Sequence, residues 1–244
     1  DFTNAGGIYA NNIARYDPVA NIWYPFIDSN TKANGVNGIV RALYAGSTSG
    51  DSGLYVGGEF TNAGTAGDLP VLYYVARWDI STGNHYWAPL TYSSTVGTNG
   101  PVYALISDNS ELYVGGGFTN AGGQAASNIA KWNGSNWSPL TDSFGNQGTN
   151  GNVYAITWGA SLSYPIVFGG DFGTAGYQTA TNVAAWNGAD YISLSNGSGE
   201  GTNGSVYALA VGGTIIPPTT QTVIYVGGDF TQADIGQSLV PFIA

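Results

Sequence analysis

Residues Leu112–Gly123 read LYVGGGFTNAGG, and this stretch decides the fold because variants of it recur along the chain. Its phenylalanine marks each copy, and the equivalents, 54 or 58 residues apart, are Phe2, Phe60, Phe118, Phe172 and Phe230. An internal repeat defines the architecture of a whole chain. The 244 residues are therefore predicted to form successive copies of one unit of about 54 to 58 residues.

Three further landmarks keep the same phase in every copy. The first is a Thr-Asn-Gly turn before an apolar run, at Thr98–Gly100, Thr149–Gly151 and Thr202–Gly204, with Val36–Gly38 as the variant. The other two are aromatic residues late in the unit, at Tyr16 and Trp23, Trp78 and Trp87, Trp132 and Trp137, and Trp186 and Tyr191. Agreement of all these landmarks over four copies establishes the repeat.

Each unit is predicted to contain four short β-strands, because Val, Ile, Tyr and Trp dominate its apolar runs and turn residues separate them. The first strands are expected at 39–43, 102–105, 153–156 and 206–209, and the second at 54–58, 112–116, 166–170 and 224–228. The third are expected at 12–17, 72–79, 128–133 and 182–187, and the fourth end near Pro25, Pro89, Pro139 and Leu194. The Asn-Gly pairs at Asn133 and Asn187 predict type I′ turns between flanking aromatic residues. No helical period is present, so the predicted fold class is all-β.

Four strands in a unit of this length make one blade of a β-propeller. The order of the motifs resembles the kelch blade and, more closely, the Val-Gly-Gly-x-Phe-Thr-x-Ala-Gly-Gly repeats of large secreted bacterial proteins. Blades of fungal cortical-marker surface proteins are similar. The resemblance covers essentially the whole chain and implies a single kelch-like β-propeller domain, or a fragment of a larger propeller, with about four to five blades. The expected plan is a partial blade at 1–27, full blades at 38–93, 102–141 and 152–194, and a partial blade at 205–244.

Composition excludes several classes of function. Fifteen acidic residues oppose five basic ones, and the resulting net charge of -10 argues against nucleic acid as a partner. The chain has no Cys and a single histidine, His85, which excludes thiolate chemistry and a histidine metal cluster. No nucleophile motif is present, so no enzyme activity is expected. No apolar run approaches the ~20 residues of a membrane span, and few lysines with many Gly, Asn and Thr favour an extracellular or cell-surface location.

Acidic residues precede the landmark phenylalanine in most copies, at Asp1, Glu59, Asp171 and Asp229. Equivalent positions in a propeller form a ring around its axis, so Glu59, Asp171 and Asp229 are candidates for a Ca²⁺ site. The alternative is that these acids are solvated or cap the turn that follows. The Asp-x-Asp-x-Asp spacing of a calcium loop is absent, and no cofactor is expected.

Aromatic residues outside the repeat pattern are candidates for ligand binding, because aromatic faces stack on sugars. Trp158 has no counterpart in the other repeats, and Tyr73, Tyr74, Tyr86 and Tyr92 cluster in the second repeat. Trp158, Tyr74 and Tyr86 are the predicted ligand-binding residues, and ordinary packing is the alternative for each. Four Asn-x-Ser sequons would be glycosylation acceptors in a secreted eukaryotic protein, at Asn133, Asn136, Asn196 and Asn203.

The terminal segments predict two alternatives. Residues 1–27 correspond to the third and fourth strands of a blade, residues 205–230 to the first and second, and the apolar segment 238–244 to a further third strand. In one alternative, the chain is a fragment of a longer propeller. In the other, Leu239, Val240, Phe242 and Ile243 pair with an open blade edge of the next subunit in a head-to-tail assembly.

These patterns favour a non-catalytic extracellular or cell-surface propeller that serves as a structural, adhesive or assembly module, with a filament subunit as one form of it. Its expected partners are further copies of itself or other surface proteins. The alternative function is recognition of a carbohydrate or a protein by a lectin-like propeller.

Overall fold

The computed structural model describes residues 1–46, 53–64, 70–80, 83–108, 110–159, 166–194, 201–216 and 219–233. Within these ranges the chain forms β-strands joined by turns and contains no helix, which confirms the all-β prediction. Consequently no described segment is a helix that could cross a membrane. The chain divides into two compact units, unit 1 with Asp1–Ala126 and Ala130–Pro139, and unit 2 with Ser127–Ile129 and Leu140–Ala244.

Unit 1 is built from short strands in small sheets. In chain order they are β1 (Asn4–Ala5), β2 (Ile8–Tyr9), β3 (Ala14–Asp17), β4 (Ile22–Pro25), β5 (Val40–Gly46), β6 (Gly53–Gly58), β7 (Val75–Asp79), β8 (Tyr86–Pro89), β9 (Thr91–Tyr92), β10 (Thr95–Val96), β11 (Val102–Ser107), β12 (Leu112–Gly116), β13 (Asn120–Ala121), β14 (Gln124–Ala125), β15 (Ile129–Trp132) and β16 (Trp137–Pro139). Two sheets are four-stranded, with the orders β5-β6-β7-β8 and β11-β12-β15-β16, and β3 and β4 form a two-stranded sheet. The remaining strands form the hairpins β1-β2, β9-β10 and β13-β14.

Unit 2 uses the same elements. Its strands are β17 (Val153–Trp158), β18 (Ile166–Gly170), β19 (Thr174–Ala175), β20 (Gln178–Thr179), β21 (Val183–Trp186), β22 (Tyr191–Ser193), β23 (Val206–Ile216) and β24 (Thr219–Gly228). One sheet is four-stranded, with the order β17-β18-β21-β22, while β23-β24 and β19-β20 are two-stranded. Each four-stranded sheet thus lies within one sequence repeat and is ordered as the strands follow along the chain.

The predicted strands are found in every repeat, and most of their ends shift by at most about three residues. The exceptions are the first strand predicted at 206–209, which extends to Ile216, and the second strand predicted at 224–228, which begins at Thr219. The second strand predicted at 112–116 is observed there as β12, and the first strand predicted at 102–105 extends to Ser107 in β11. The third strand of the second repeat starts at Val75 rather than at residue 72. Tyr73 and Tyr74 have φ angles of 40° and 70°, and a strand requires negative φ.

The turns between third and fourth strands differ from the type I′ prediction, which is wrong for Asn133 and Asn187. Only the glycine of each pair has a positive φ angle, 92° at Gly134 and 100° at Gly188, whereas a type I′ turn needs two such residues. The side-chain oxygen of Asn133 instead accepts hydrogen bonds from the N–H groups two and three residues ahead, at 3.0 and 2.8 Å. The flanking aromatic residues still pair as expected, and the ring centroids of Trp132 and Trp137 are 5.4 Å apart.

The asparagine of each Thr-Asn-Gly turn fastens that turn to the loop after the landmark phenylalanine. Asn99 Oδ1 accepts from the N–H groups of Thr119 and Asn120, both at 2.9 Å, and Asn99 Nδ2 donates to Thr119 Oγ1 at 2.9 Å. Asn203 makes the same three bonds to Thr231 and its neighbour. The sequon at Asn203 therefore has an amide already bonded to the fold, while Asn133 and Asn136 are exposed and Asn196 lies outside the described residues.

Every first strand contains a β-bulge at its second residue. The extra residues on β5, β11, β17 and β23 are Arg41, Tyr103, Tyr154 and Tyr207. A bulge bends the strand and re-aims the side chain of the extra residue. The side chains of these four bulged residues therefore point in a direction that they would not have in a regular strand.

Candidate functional site

Unit 1 contains an open cleft of about 520 Å³, which we call the tyrosine cleft. Three loops that are distant in sequence supply its walls. The lining residues are Tyr73, Tyr74, Ser94, Thr95, Val96, Gly97, Thr98, Asn99, Asn120, Gly122 and Gly123. None of these described residues carries a charge, so the cleft offers two aromatic rings together with neutral amide, hydroxyl and backbone groups.

Tyr74 occupies a backbone position that the other repeats give to asparagine. The equivalents, with φ angles of 58°, 62° and 65°, are Asn12, Asn128 and Asn182. Each asparagine donates its Nδ2 to a backbone carbonyl in the turn of its own repeat, at 2.9, 2.8 and 2.8 Å. Asparagine tolerates positive φ because its short side chain bonds locally, whereas a bulky residue is strained there. Tyr74, at a φ of 70°, bears this strain and has no amide with which to make the repeated bond.

The two tyrosines play different parts in the cleft. Tyr74 is partly buried and packs against the hydrophobic cluster that contains Tyr55, Val102 and Trp137. Tyr73 precedes it with a φ of 40° and is 45% exposed. Tyr74 is therefore held by the core, and Tyr73 offers its ring to the solvent side.

Glycines keep the opposite wall open. Gly122 has a φ of 57°, and a Cβ atom there would lie 2.3 Å from Cδ1 of Trp137. Gly123 has a φ of 81°, and a Cβ atom there would lie 3.0 Å from Thr95 Oγ1. The residue equivalent to Gly123 in unit 2 is Tyr177. The position that has no side chain in the repeat with the cleft therefore carries an aromatic ring in the next repeat.

The predicted ligand-binding residues lie on different elements of the structure. Tyr74 lines the tyrosine cleft, but Tyr86 lies on β8 opposite Asp79, outside the lining. Trp158 ends β17 in unit 2, opposite Ile166. Sequence reasoning missed Asn99 and Asn120 as lining residues. A tyrosine at a position that the repeat fills with asparagine was the available signal for this site.

The acids before the landmark phenylalanines are bound by the bulged residue of their own sheet. Arg41 donates to Glu59 Oε1 at 2.7 Å. Tyr154 donates its hydroxyl to Asp171 at 2.7 Å. Tyr207 does so to Asp229 at 3.3 Å. No group of three or more potential metal ligands occurs in the described ranges, so nothing among them gathers these acids around one ion.

Asp142 organises an exposed aromatic pair in unit 2. It is buried after β16, and its Oδ1 accepts the N–H groups of Phe144 at 3.0 Å and Asn146 at 2.8 Å. Its Oδ2 accepts the N–H group of Tyr177 at 3.2 Å. The rings of Phe144 and Tyr177 are exposed and meet edge to face, with centroids 4.5 Å apart. One buried carboxylate thus fixes the backbone beneath both rings.

Acidification is expected to destabilise unit 2 through Asp142. Desolvation raises the pKa of Asp142, but hydrogen bonds from Asn146 and from backbone N–H groups lower it more, so its pKa lies below the ordinary value. A carboxyl with a depressed folded-state pKa stabilises the fold above its unfolded pKa of about 3.9 and loses this contribution as the pH falls through the folded pKa.

The measurement is chemical denaturation over a series of pH values. The free energy of unfolding should stay level above about pH 5 and decrease below about pH 4. Asp142→Asn should be less stable near neutral pH and should show a shallower acid decrease. An identical pH profile in this variant would contradict the role of Asp142.

Comparison with known proteins finds no relative: no protein-family model, curated protein or solved structure matches the chain. The predicted assembly residues Leu239, Val240, Phe242 and Ile243 lie outside the described residues. The tyrosine cleft is therefore interpreted from its own chemistry.

Proposed function

We propose that this chain is a non-catalytic extracellular module, built from kelch-like β-propeller blades, that recognises neutral carbohydrate through the tyrosine cleft. The observation that carries the proposal is Tyr74, a bulky residue in a left-handed backbone position. Backbone conformations of this kind cluster at binding and catalytic sites, where the strain is retained for function. At this position the second repeat lacks the stabilising asparagine of the other repeats and has instead an aromatic side chain that forms a wall of the cleft.

The propeller architecture is supported by the sheets and by their contacts. Three repeats form four-stranded antiparallel sheets of the same order, as propeller blades do. Within unit 1 the first strands of successive repeats, β5 and β11, pack against each other. Within unit 2, β17 and β23 do the same. Blades that succeed one another around an axis place their first strands in this relation.

Neutral carbohydrate is the ligand class that the lining fits. The apolar face of a sugar ring stacks on an aromatic side chain, and its hydroxyl groups bond to amides and hydroxyls such as those of Asn120 and Thr95. An anionic ligand would meet the field of a chain with a net charge of -10 and no cation in the described lining.

The same lining supports a binding role rather than catalysis. Among the described residues that line the cleft there is no carboxylate and no histidine, the groups that supply most general acid–base catalysis. An extracellular location is part of the proposal because charged residues make up only 8% of the chain, in which Gly, Asn, Ser and Thr are abundant.

Tyr74→Asn tests the proposal, because it restores the asparagine of the other repeats while it removes an aromatic wall of the cleft. Relief of strain and one recovered hydrogen bond should offset the loss of the partly buried ring, so the free energy of unfolding should change by at most about 1 kcal/mol. Binding of neutral oligosaccharides, found on a glycan array and measured by calorimetry, should weaken about tenfold, which corresponds to about 1.4 kcal/mol.

Tyr73→Ala should weaken binding to a similar extent. Tyr9→Ala is the matched control, since Tyr9 is an exposed tyrosine of unit 1 outside the cleft, and it should leave binding unchanged. Absence of any neutral glycan that binds the wild-type chain would refute the proposal. Equal binding by wild type and Tyr74→Asn would do the same.

A further inference from the structure

The two-stranded sheet β3-β4 exposes side chains that the complete sheets bury. Tyr16 and Trp23 are 43% and 39% exposed. Their equivalents in the next repeat, Trp78 and Trp87, are 7% and 2% exposed. In that repeat the third strand has the second strand on its other side, whereas no described strand pairs with the outer edge of β3. Trp78 lies opposite Leu54 of the second strand, and both tryptophans contact Phe26 of the preceding repeat. Tyr16 and Trp23 therefore lack the cover that a second strand and a preceding repeat supply elsewhere.

The two-stranded sheet β23-β24 has a first and a second strand but no third or fourth strand among the described residues. Tyr225 on β24 is 51% exposed, while the residues at the same position of β6 and β12, Tyr55 and Tyr113, are both 5% exposed. In the complete sheets the outer edge of the second strand pairs with a third strand, and among the described residues β24 pairs only with β23. This sheet has first and second strands, and Tyr225 lacks the cover that Tyr55 receives from its own third strand at Val75 and from the following repeat at Val102 and Leu112.

The two half-sheets are complementary in side chains as well as in strand number. In the complete sheets, Val56 pairs with Ala76 and Phe168 pairs with Ala184. The equivalent residues of the half-sheets are Val226 on β24 and Ala14 on β3.

The neighbouring pair follows the same rule. Tyr55 lies opposite Arg77, and the half-sheets have Tyr225 and Arg15 at these positions. Arg15 now stacks on the ring of Tyr24, 4.8 Å from its centroid. One half-sheet thus carries the tyrosine, and the other carries the arginine, that lie opposite each other in the complete sheet.

We propose that a second copy of this chain completes each half-sheet, with β24 of one copy pairing antiparallel with β3 of another so that Val226 lies opposite Ala14. An exposed strand edge with apolar neighbours is a template for such addition. The two surfaces that meet are different, so the contact is heterologous and repeats from copy to copy as a chain of subunits. The pairing buries Tyr16, Trp23 and Tyr225 as the complete sheets bury their equivalents.

Single-cysteine variants test this pairing, since the chain has no cysteine of its own. Ala14→Cys is mixed with a size-tagged Val226→Cys and oxidised in the absence of any sugar. Opposed residues on paired strands have the Cα separation that a disulfide needs. A cross-linked heterodimer of the tagged and untagged chains is the expected product, and it should be at least about tenfold more abundant than with the mismatched control.

The control is a tagged Val223→Cys, which the proposed register places three residues along β24 from the partner of Ala14, about 10 Å away. Equal yields from Val226→Cys and Val223→Cys would overturn the register and with it the proposal. Sedimentation gives a second measurement, in which the wild-type chain should form concentration-dependent oligomers. A monomer at all concentrations would also overturn the proposal. Neither measurement depends on carbohydrate, so this proposal and the proposed function fail separately.

Discussion

Replacing Trp137 with alanine is expected to destabilise the protein by about 3–5 kcal/mol, the usual cost of removing a large buried aromatic side chain. Trp137 is among the largest fully buried side chains, and its indole N–H donates to the carbonyl of Leu90 at 3.2 Å. The ring also fills the space against Gly122. Alanine would leave a cavity and remove one of the two hydrogen bonds that the Leu90 carbonyl accepts, the other coming from the N–H of Gly97 at 2.9 Å. Equilibrium denaturation followed by circular dichroism measures the change.

Trp23→Ala is the matched control, because Trp23 occupies the same repeat position on the two-stranded sheet and is partly exposed. Measured at a concentration where the chain is monomeric, its cost should be at most about 1 kcal/mol, as for surface substitutions. Similar losses in both variants would show that burial in the complete sheets does not set the energetics of these aromatic positions. A larger loss for Trp23→Ala at high concentration than at low concentration would accompany the proposed assembly.

Gly148→Ala is expected to destabilise the protein by about 2–4 kcal/mol. Gly148 has a φ of 64°, and a Cβ atom there would lie 1.8 Å from the carbonyl oxygen of Ser127. Left-handed strain contributes about 1–2 kcal/mol, and the steric overlap adds the cost of a backbone shift. The same glycine stands before the turn in every repeat, at Gly35, Gly97, Gly148 and Gly201.

Gly134→Ala separates these two contributions. Gly134 has a φ of 92°, but a Cβ atom there would meet no atom within 4 Å. This variant should therefore show only the conformational strain, about 1 kcal/mol. Denaturation midpoints of the two variants give the comparison, and equal destabilisation would mean that the contact with Ser127 relaxes without cost.

The strands could be predicted from the sequence because their signals are local. The runs around Val114 and Phe168 are apolar and are bounded by glycines, and both form second strands at the predicted residues. The bulge at Tyr154 could not be predicted, since it appears only when β17 is paired with β18. The type I′ turn at Asn133 failed for a related reason, because the loop is longer than the Asn-Gly pair and the asparagine side chain satisfies its N–H groups.

The candidate site was only partly predictable. Tyr74 was predicted to bind a ligand as one of a group of tyrosines in the second repeat. Tyr86, from the same group, lies on a strand outside the lining of the cleft. The lining of the cleft joins residues near 73, 95 and 121, and their proximity depends on how the loops of successive repeats meet. The role of the acids likewise became visible only with their partners, Arg41 for Glu59 and Tyr154 for Asp171.

The repeat, the fold class and the positions of most strands follow from the amino-acid sequence, because periodic apolar runs and turn residues act over a few neighbouring residues. Whether equivalent positions of the repeats are equally buried or strained depends on the tertiary structure. Trp137 and Trp23 share one place in the repeat, yet the first is buried and the second is exposed. Tyr74 shares its place with three asparagines and lines a cleft. Burial and strain depend on which strands and loops meet in space, and identical local signals do not contain that information.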